Sequence, residues 1–385
     1  MNGLPAEVSR KTMIVPQGEF ELRRRPDDPN LQAWDAADEL LLNHLDEGRV
    51  LLGPDRVLIV NDAFGALTVA LAPHDVFSWS DSYLAQQALR DNLRANGYAD
   101  DRVRSNHDIG FPPVQVDCVL LKIPKTQALL EHQLYGLRAL LHHETRVVAA
   151  GMARHIHRST LEAFETILGP STSTRAVKKS RLVLVERDHS LNQGQSPYPT
   201  EYQLVADREY RIVNHASLFS RDRLDAGSRL LLEHMPADER YRRIADLGCG
   251  NGVLGLVAAS LNPRASMLFC DESYMAVASA RENFRAAFGK RREAEFRVDD
   301  CLQQTPGDSL DLVLINPPFH QQHQVGDAIA WQMLKDARRC LVNGGELRMV
   351  GNRHLAYHAK LKKLFGNCSV IASDRKFAVL SAIRN

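Results

Sequence analysis

The sequence predicts an α/β protein built from two tandem copies of one domain, each a mostly parallel sheet layered between helices. Three observations predict it. At 385 residues the chain is long enough for two ordinary domains. Short apolar runs alternate with helical patterns, the rhythm of strands joined by crossover helices. The third is that the chain repeats itself. Residues 34–45 and 224–235 share six of twelve identities, an offset of 190. The match then continues in order: 57–67 with 244–254, Gly65 falling opposite Gly252; Ser82-Tyr83 with Ser273-Tyr274; Asn92 with Asn283; 117–121 with 311–315; and 146–151 with 346–351. The offset drifts only between 187 and 200, so the copies differ by small insertions. The expected boundaries are 1–168 for the first copy, 169–210 for a connector carrying some strand, and 211–385 for the second copy.

In the second copy the expected strands are about 243–247, 266–271, 295–298, 310–316 and 346–351, with a closing pair at 367–373 and 377–383. The run Leu310 to Ile315 is apolar enough to be buried on both faces, as a central parallel strand requires. The connector opens on a loop, Gly169-Pro170-Ser171-Thr172, and holds one apolar strand at 182–185.

Bulk properties narrow the class. A composition of 44% hydrophobic and 25% charged residues is that of a soluble globular protein. The net charge of +1 means that any nucleic-acid surface must be local. Six scattered cysteines with no C-x-x-C pair read as thiols in a reducing cytosol. No apolar run approaches about 18 residues, and the first 25 residues lack a signal-peptide core, so a cytoplasmic protein without a membrane span is expected.

Two motifs carry chemistry. Residues 244–255 form a strand, a glycine turn and a helix start, with Gly248, Gly250 and Gly252 allowing close backbone approach to a ligand. The loop alone also fits a dinucleotide site. Its surroundings favour a cationic cofactor. Asp246 precedes the loop, and Asp271 and Asp300 follow the next two strands. Three carboxylates at strand ends repel a pyrophosphate and suit S-adenosylmethionine, with its sulfonium and ammonium. The bland alternative makes Asp271 and Asp300 helix N-caps.

The second motif is Asn316-Pro317-Pro318-Phe319, at the carboxyl end of its strand. The Asn316 amide oxygen and the Pro317 carbonyl can each accept one hydrogen of an exocyclic amine. Proline stiffens the tip and brings no competing N–H. An amine held by two acceptors aims its lone pair at a methyl donor, so positioning carries most of the catalysis. Phe319 can stack on a flat base. His320 and His323 follow at metal-ligand spacing. With no third ligand nearby they read as substrate-edge contacts or a loop anchor, and no metal is expected.

These strings resemble bacterial ribosomal RNA guanine-N2 methyltransferases with two tandem methyltransferase-like domains. The family shares Asn-Pro-Pro-Phe-His. The continuation Gln321-Gln322-His323, with 337–341, 351–355 and 361–368, is similar to the members acting on 23S rRNA. The resemblance implies two Rossmann-like seven-stranded methyltransferase folds, the N-terminal one degenerate. It implies S-adenosylmethionine as cofactor, with Phe219, Ser220 and Gly227 beside it. It also implies methylation of guanine N2 in 23S rRNA, free or in a large-subunit assembly intermediate. Methylation of 16S rRNA guanine, DNA adenine-N6 or protein glutamine-N5, and RNA binding without catalysis, are the alternatives.

The repeat supplies an internal control. Asp246 faces Ile59, Gly248 faces Asn61, Gly250 faces Ala63, and the catalytic tip faces Lys122-Ile123-Pro124-Lys125. The first copy cannot run the same chemistry. Lys122 and Lys125 are expected to contact phosphate instead, as are Lys178, Lys179 and Arg181. Basic groups at 23–25, 290–292 and 362–363 are further candidates. The target guanine must leave its pairing to reach such a tip.

Overall fold

The structure, a computed structural model, describes residues 11–28, 30–51, 55–191, 194–290, 292–318 and 324–385. It forms two compact units, Met1–Pro197 and Tyr198–Asn385.

The second unit holds a seven-stranded sheet in the order Ala294–Val298, Ser266–Asp271, Arg243–Leu247, Leu310–Ile315, Leu341–Asn352, Phe377–Ile383, Ser369–Ser373. The first five are parallel, and the last two join antiparallel. Successive residues of a strand point to opposite faces, which gives the sheet two apolar layers. Ile244, Phe269, Leu312, Leu314 and Val350 pack on one side. Ala245, Leu247, Val313, Ile315, Leu347 and Met349 pack on the other. Phe269 stacks on Phe296 at 5.1 Å and meets Phe284 edge-on at 5.4 Å, which fastens the helix Tyr274–Phe288 to the sheet. The strand order reverses direction between Arg243–Leu247 and Leu310–Ile315, and open α/β sheets bind ligands at the carboxyl ends beside such a point.

Strands 243–247, 266–271 and 377–383 have the expected bounds. Leu341–Asn352 starts five residues early, because the chain bulges through Asn343-Gly344-Gly345 before regaining register at Glu346. An antiparallel hairpin, Thr200–Val205 with Glu209–Asn214, was not expected.

The first unit repeats the architecture: Arg104–Ser105, Asp75–Trp79, Arg56–Val60, Val116–Lys122, Leu141–Met152, Ser180–Val185, Ser171–Ser173. It has its own hairpin, Lys11–Val15 with Gly18–Leu22. The segment 169–210 is therefore divided. Ser171–Ser173 and Ser180–Val185 complete the first sheet, while Thr200–Val205 opens the second unit's hairpin. Among the described residues no helix is long and apolar enough to cross a membrane.

Candidate functional site

The glycine loop is held by the neighbouring strand. The Gly248 and Cys249 N–H groups both donate to the Cys270 carbonyl, at 2.8 and 3.0 Å. The Gly250 N–H donates to Asp271 Oδ2 at 2.9 Å. Gly252 has φ +80°, and a Cβ there would lie 2.9 Å from the Ala280 Cβ, so this glycine lets two helices close together. Gly250 also has positive φ (+54°), yet a Cβ there would meet nothing within 4 Å. Its backbone faces open space, as a ligand cradle requires.

Asp246 is fully buried. Its Oδ2 accepts the Gly255 N–H at 2.8 Å, but Oδ1 has no partner among the described residues. Burial pushes its pKa up to about 8; the Gly255 N–H opposes the rise and the Asp271 charge adds to it. Asp271 Oδ1 accepts the Ser273 N–H at 3.0 Å, and burial raises its pKa too. The N-cap of the following helix is Ser273 rather than Asp271. Asp300 accepts from the Gln303 amide at 2.7 Å, while buried Asp299 ties down the turn through the Gln304 N–H. Asp246, Asp271 and Asp300 thus lie at one end of three adjacent parallel strands.

Asn316 stands at the same edge, one strand further along. Its Nδ2 donates to Ser228 Oγ at 2.8 Å and to Asp225 Oδ2 at 3.2 Å. A carboxylate can only accept, so this pairing sets which way the amide points. Asn316 Oδ1 is buried with no partner among the described residues. Such orphans are rare in native proteins and call for an explanation. Asp225 is also the N-cap of the helix Ala226–Leu232, accepting the Ser228 N–H at 2.9 Å. Pro317 is buried and Pro318 exposed. Phe319, His320 and His323 lie outside the described residues.

Gly227 lies within the Asp225–Ser228 turn that holds Asn316, and a Cβ on it would come 3.4 Å from the Phe377 ring. Phe219 is 76% exposed, and Ser220 has φ +52°. Sequence reasoning missed Asp225 and Ser228. The signal was present in the repeat, where Asp35 and Asp38 occupy the matching positions.

That correspondence corrects the reading of Lys122 as a phosphate contact. Its ammonium pairs with Asp35 at 2.8 Å and Asp38 at 2.5 Å, and its side chain is only 14% exposed. Burial alone lowers its pKa, but the two carboxylates outweigh that and hold it charged. Spent on this cluster, it is not offered to a polyanion. Lys125, Lys179 and Arg181 are exposed. Lys178 is exposed but pairs with Glu39 at 2.8 Å.

The chain was compared with known proteins. Residues 10–189 match the RLMG N-terminal domain model, and 209–381 match the methyltransferase small domain model. A ribosomal RNA large subunit methyltransferase G from Streptomyces coelicolor is 48% identical, covering 97% of this chain and 100% of that protein. One of the same name from Erwinia tasmaniensis is 50% identical over 92% of this chain and 93% of its own length. Among solved structures, a T. thermophilus 16S rRNA N2 methyltransferase in complex with AdoMet and guanosine aligns over 98% of both chains with TM-score 0.76. At 22% identity, that likeness speaks to the fold.

Proposed function

This chain belongs to the ribosomal RNA large subunit methyltransferase G family, and on that premise we propose that it transfers a methyl group from S-adenosylmethionine to the exocyclic N2 of a guanine in 23S rRNA. The observation that carries the chemistry is the buried, unpartnered Asn316 Oδ1 on an amide already locked by Asp225 and Ser228. An acceptor with nothing to accept, at the carboxyl edge of the sheet beside a glycine loop, fits a substrate N–H.

The cofactor's fit rests on the other orphan. Asp246 Oδ1 is buried and unsatisfied, Gly250 faces open space, and Asp271 braces the loop. A carboxylate forced towards neutrality by burial is stabilised by a cationic ligand and disfavours a pyrophosphate. Asp246, Asp271, Asp300 and the loop glycines would hold S-adenosylmethionine, with Gly227, Ser220 and Phe219 nearby. When bound, it supplies an electrophilic methyl group. Asn316 and the Pro317 carbonyl orient the guanine amine by accepting its two hydrogens. That fixes the nitrogen's direction and opposes delocalisation of its lone pair into the ring. Phe319 stacks on the base, with His320 and His323 at its edge. No general base is required, because the methylated nitrogen becomes acidic and releases its proton afterwards.

The first unit positions RNA through exposed Lys125, Lys179 and Arg181, without chemistry of its own. The substrate is 23S rRNA in the cytoplasm, free or in an assembling large subunit. Methyl transfer from labelled cofactor to 23S rRNA, large-subunit precursors, 16S rRNA, DNA and protein, run in parallel, tests the reading. Label in the first two at guanine N2 is the expected result; no label in either refutes it.

A further inference from the structure

Beyond the catalytic tip, at the same sheet edge, lies a cavity of about 320 Å³ lined by Asn352, Arg353, His354, Arg375 and Lys376. Its walls come from two places distant in sequence. Arg353 and His354 follow the parallel strand Leu341–Asn352. Arg375 and Lys376 form the turn between the two antiparallel strands. Because Asn352 pairs with Phe377, that turn returns to the carboxyl edge of the sheet.

The parts are fastened together. The Arg353 N–H donates to the Lys376 carbonyl at 3.0 Å, and Arg353 Nη1 donates to the Asp374 carbonyl at 3.1 Å. The Asp374 carboxylate is occupied by the Lys376 and Phe377 N–H groups, at 2.7 and 2.6 Å, which hold its pKa down. Three cationic side chains, Arg353, Arg375 and Lys376, therefore line the cavity, and the neighbouring Asp374 carboxylate is hydrogen-bonded by the turn's backbone. Asn352, 4% exposed, lines the cavity beside them. Its side-chain amide adds a hydrogen-bond donor to a lining that is otherwise basic.

We propose that this cavity binds a backbone phosphate of the substrate RNA next to the target guanosine; the inference rests on the function proposed above. Anionic oxygens fit this lining, accepting from its guanidinium and ammonium groups and from the Asn352 amide. Distance agrees as well. Ile315 pairs with Met349, which puts Asn316 about level with Val350. Asn352 is then two residues further and one strand across, about 8 Å from Asn316 between Cα atoms by standard sheet spacings. A base turned into the Asn316 tip would leave its own sugar–phosphate in this neighbourhood. The cavity is on the side of Asn316 away from the glycine loop, so the two ligands do not compete for it.

The test is RNA binding by the full chain over a salt series, with methyl transfer to 23S rRNA measured alongside. Arg353→Gln with Lys376→Gln should weaken RNA binding roughly ten-fold. It should also reduce the slope of log affinity against log salt by about 0.7–0.9, one phosphate's worth. S-adenosylmethionine affinity should stay at the wild-type value. The control pair Arg242→Gln and Arg264→Gln, exposed residues beside the amino-terminal ends of strands Arg243–Leu247 and Ser266–Asp271, should leave the slope unchanged. Should the double variant misfold, Arg375→Gln serves in its place: Arg375 is an exposed turn residue without an ion pair among the described residues, and a smaller loss with the same sign is expected. A folded variant with wild-type RNA affinity and slope overturns the phosphate site. Wild-type protein that labels no rRNA overturns the function beneath it, a result visible in the transfer assay alone.

Discussion

Replacing Asp246 by Asn should make the unliganded second unit more stable at neutral and alkaline pH while impairing cofactor binding. In the folded chain Asp246 is fully buried with one unsatisfied oxygen and a pKa pushed up to about 8, against an ordinary value of 3.8. The unfolded chain therefore loses this proton first. As pH rises between those two values the unfolded state is progressively favoured, and above about 8 the effect levels off. Each pH unit in that window costs about 1.4 kcal/mol, so wild type should lose about 4 kcal/mol between pH 5 and 8 through this group. Asn cannot ionise, and its amide oxygen can still accept the Gly255 N–H. Every other titrating group is common to both proteins, so the difference between their melting curves isolates Asp246. For a unit of this size the gap should open by roughly 8–16 °C from pH 5 to 8. Calorimetric melts at four pH values measure it. Parallel curves would refute the argument that burial holds this carboxyl neutral. The second arm is titration with S-adenosylmethionine. A cation beside Asp246 restores the carboxylate, so wild-type binding near pH 7 should release up to one proton, read from heats in two buffers of different ionisation enthalpy. The variant should bind weakly and release none. Wild-type affinity in the variant would reduce Asp246 to a helix-capping residue.

Four other substitutions separate chemistry from scaffold. Asn316→Ala removes one positioned acceptor and should lower kcat by about 10²–10³, with cofactor affinity within roughly two-fold of wild type by titration; near-normal turnover would place the chemistry elsewhere. Lys122→Ala strands Asp35 and buried Asp38 without their cation and should destabilise the first unit by about 3–5 kcal/mol in denaturant melts; an RNA-affinity defect without a stability defect would restore the phosphate reading. Gly252→Ala meets the Ala280 Cβ at 2.9 Å from a left-handed backbone and should cost about 2–4 kcal/mol of stability, whereas Gly250→Ala meets no protein atom and should cost about 1 kcal/mol but weaken cofactor binding.

The sequence made the catalytic sheet legible because its strands are short, apolar and bounded by turn residues. Strands such as 243–247 and 266–271 were readable to the residue. Asn316 was legible for the same reason: a polar tip on an apolar strand stands out. Its partners were not. Asp225 and Ser228 are 91 and 88 residues away and read locally as an ordinary helix start. Lys122 was misread for the same physical reason, its carboxylates lying 84 and 87 residues upstream. The hairpin Thr200–Val205 with Glu209–Asn214 escaped because alternating polar strands lack the apolar run that marked the rest. The cavity at Asn352 needs an antiparallel return that local pattern does not reveal. For the partners of Asn316 and Lys122 and for the cavity, contacts between segments distant in sequence, rather than residue type, were the missing information.

The two copies together show what separates a working sheet tip from a retired one. One fastening of the scaffold is kept bond for bond. Asn92 bridges the Arg23 and Phe64 carbonyls and accepts the Arg23 N–H; Asn283 makes the same three bonds to Val213 and Asn251. Where Gly248 turned left-handed, Asn61 keeps φ at +64°, which Asn tolerates better than most residues. The groups left open for ligands are the ones that changed. Asp246 became Ile59, and the helix is held instead by Asp62, which accepts the Gly65 and Thr68 N–H groups and the Thr68 hydroxyl. Asn316, a donor with a spare acceptor, became Lys122, a donor with none, closed onto two carboxylates. A buried polar group without a partner is costly, and at a sheet's carboxyl edge a ligand can complete it. At the carboxyl edge of its sheet the second copy has two such oxygens among the described residues, on Asp246 and Asn316. At the matching positions the first copy has an aliphatic side chain and a saturated ammonium. On the function proposed above, restoring cofactor binding to the first unit would require reopening both sites: Lys122→Asn alone, with Ile59 still in place, should yield no cofactor binding there.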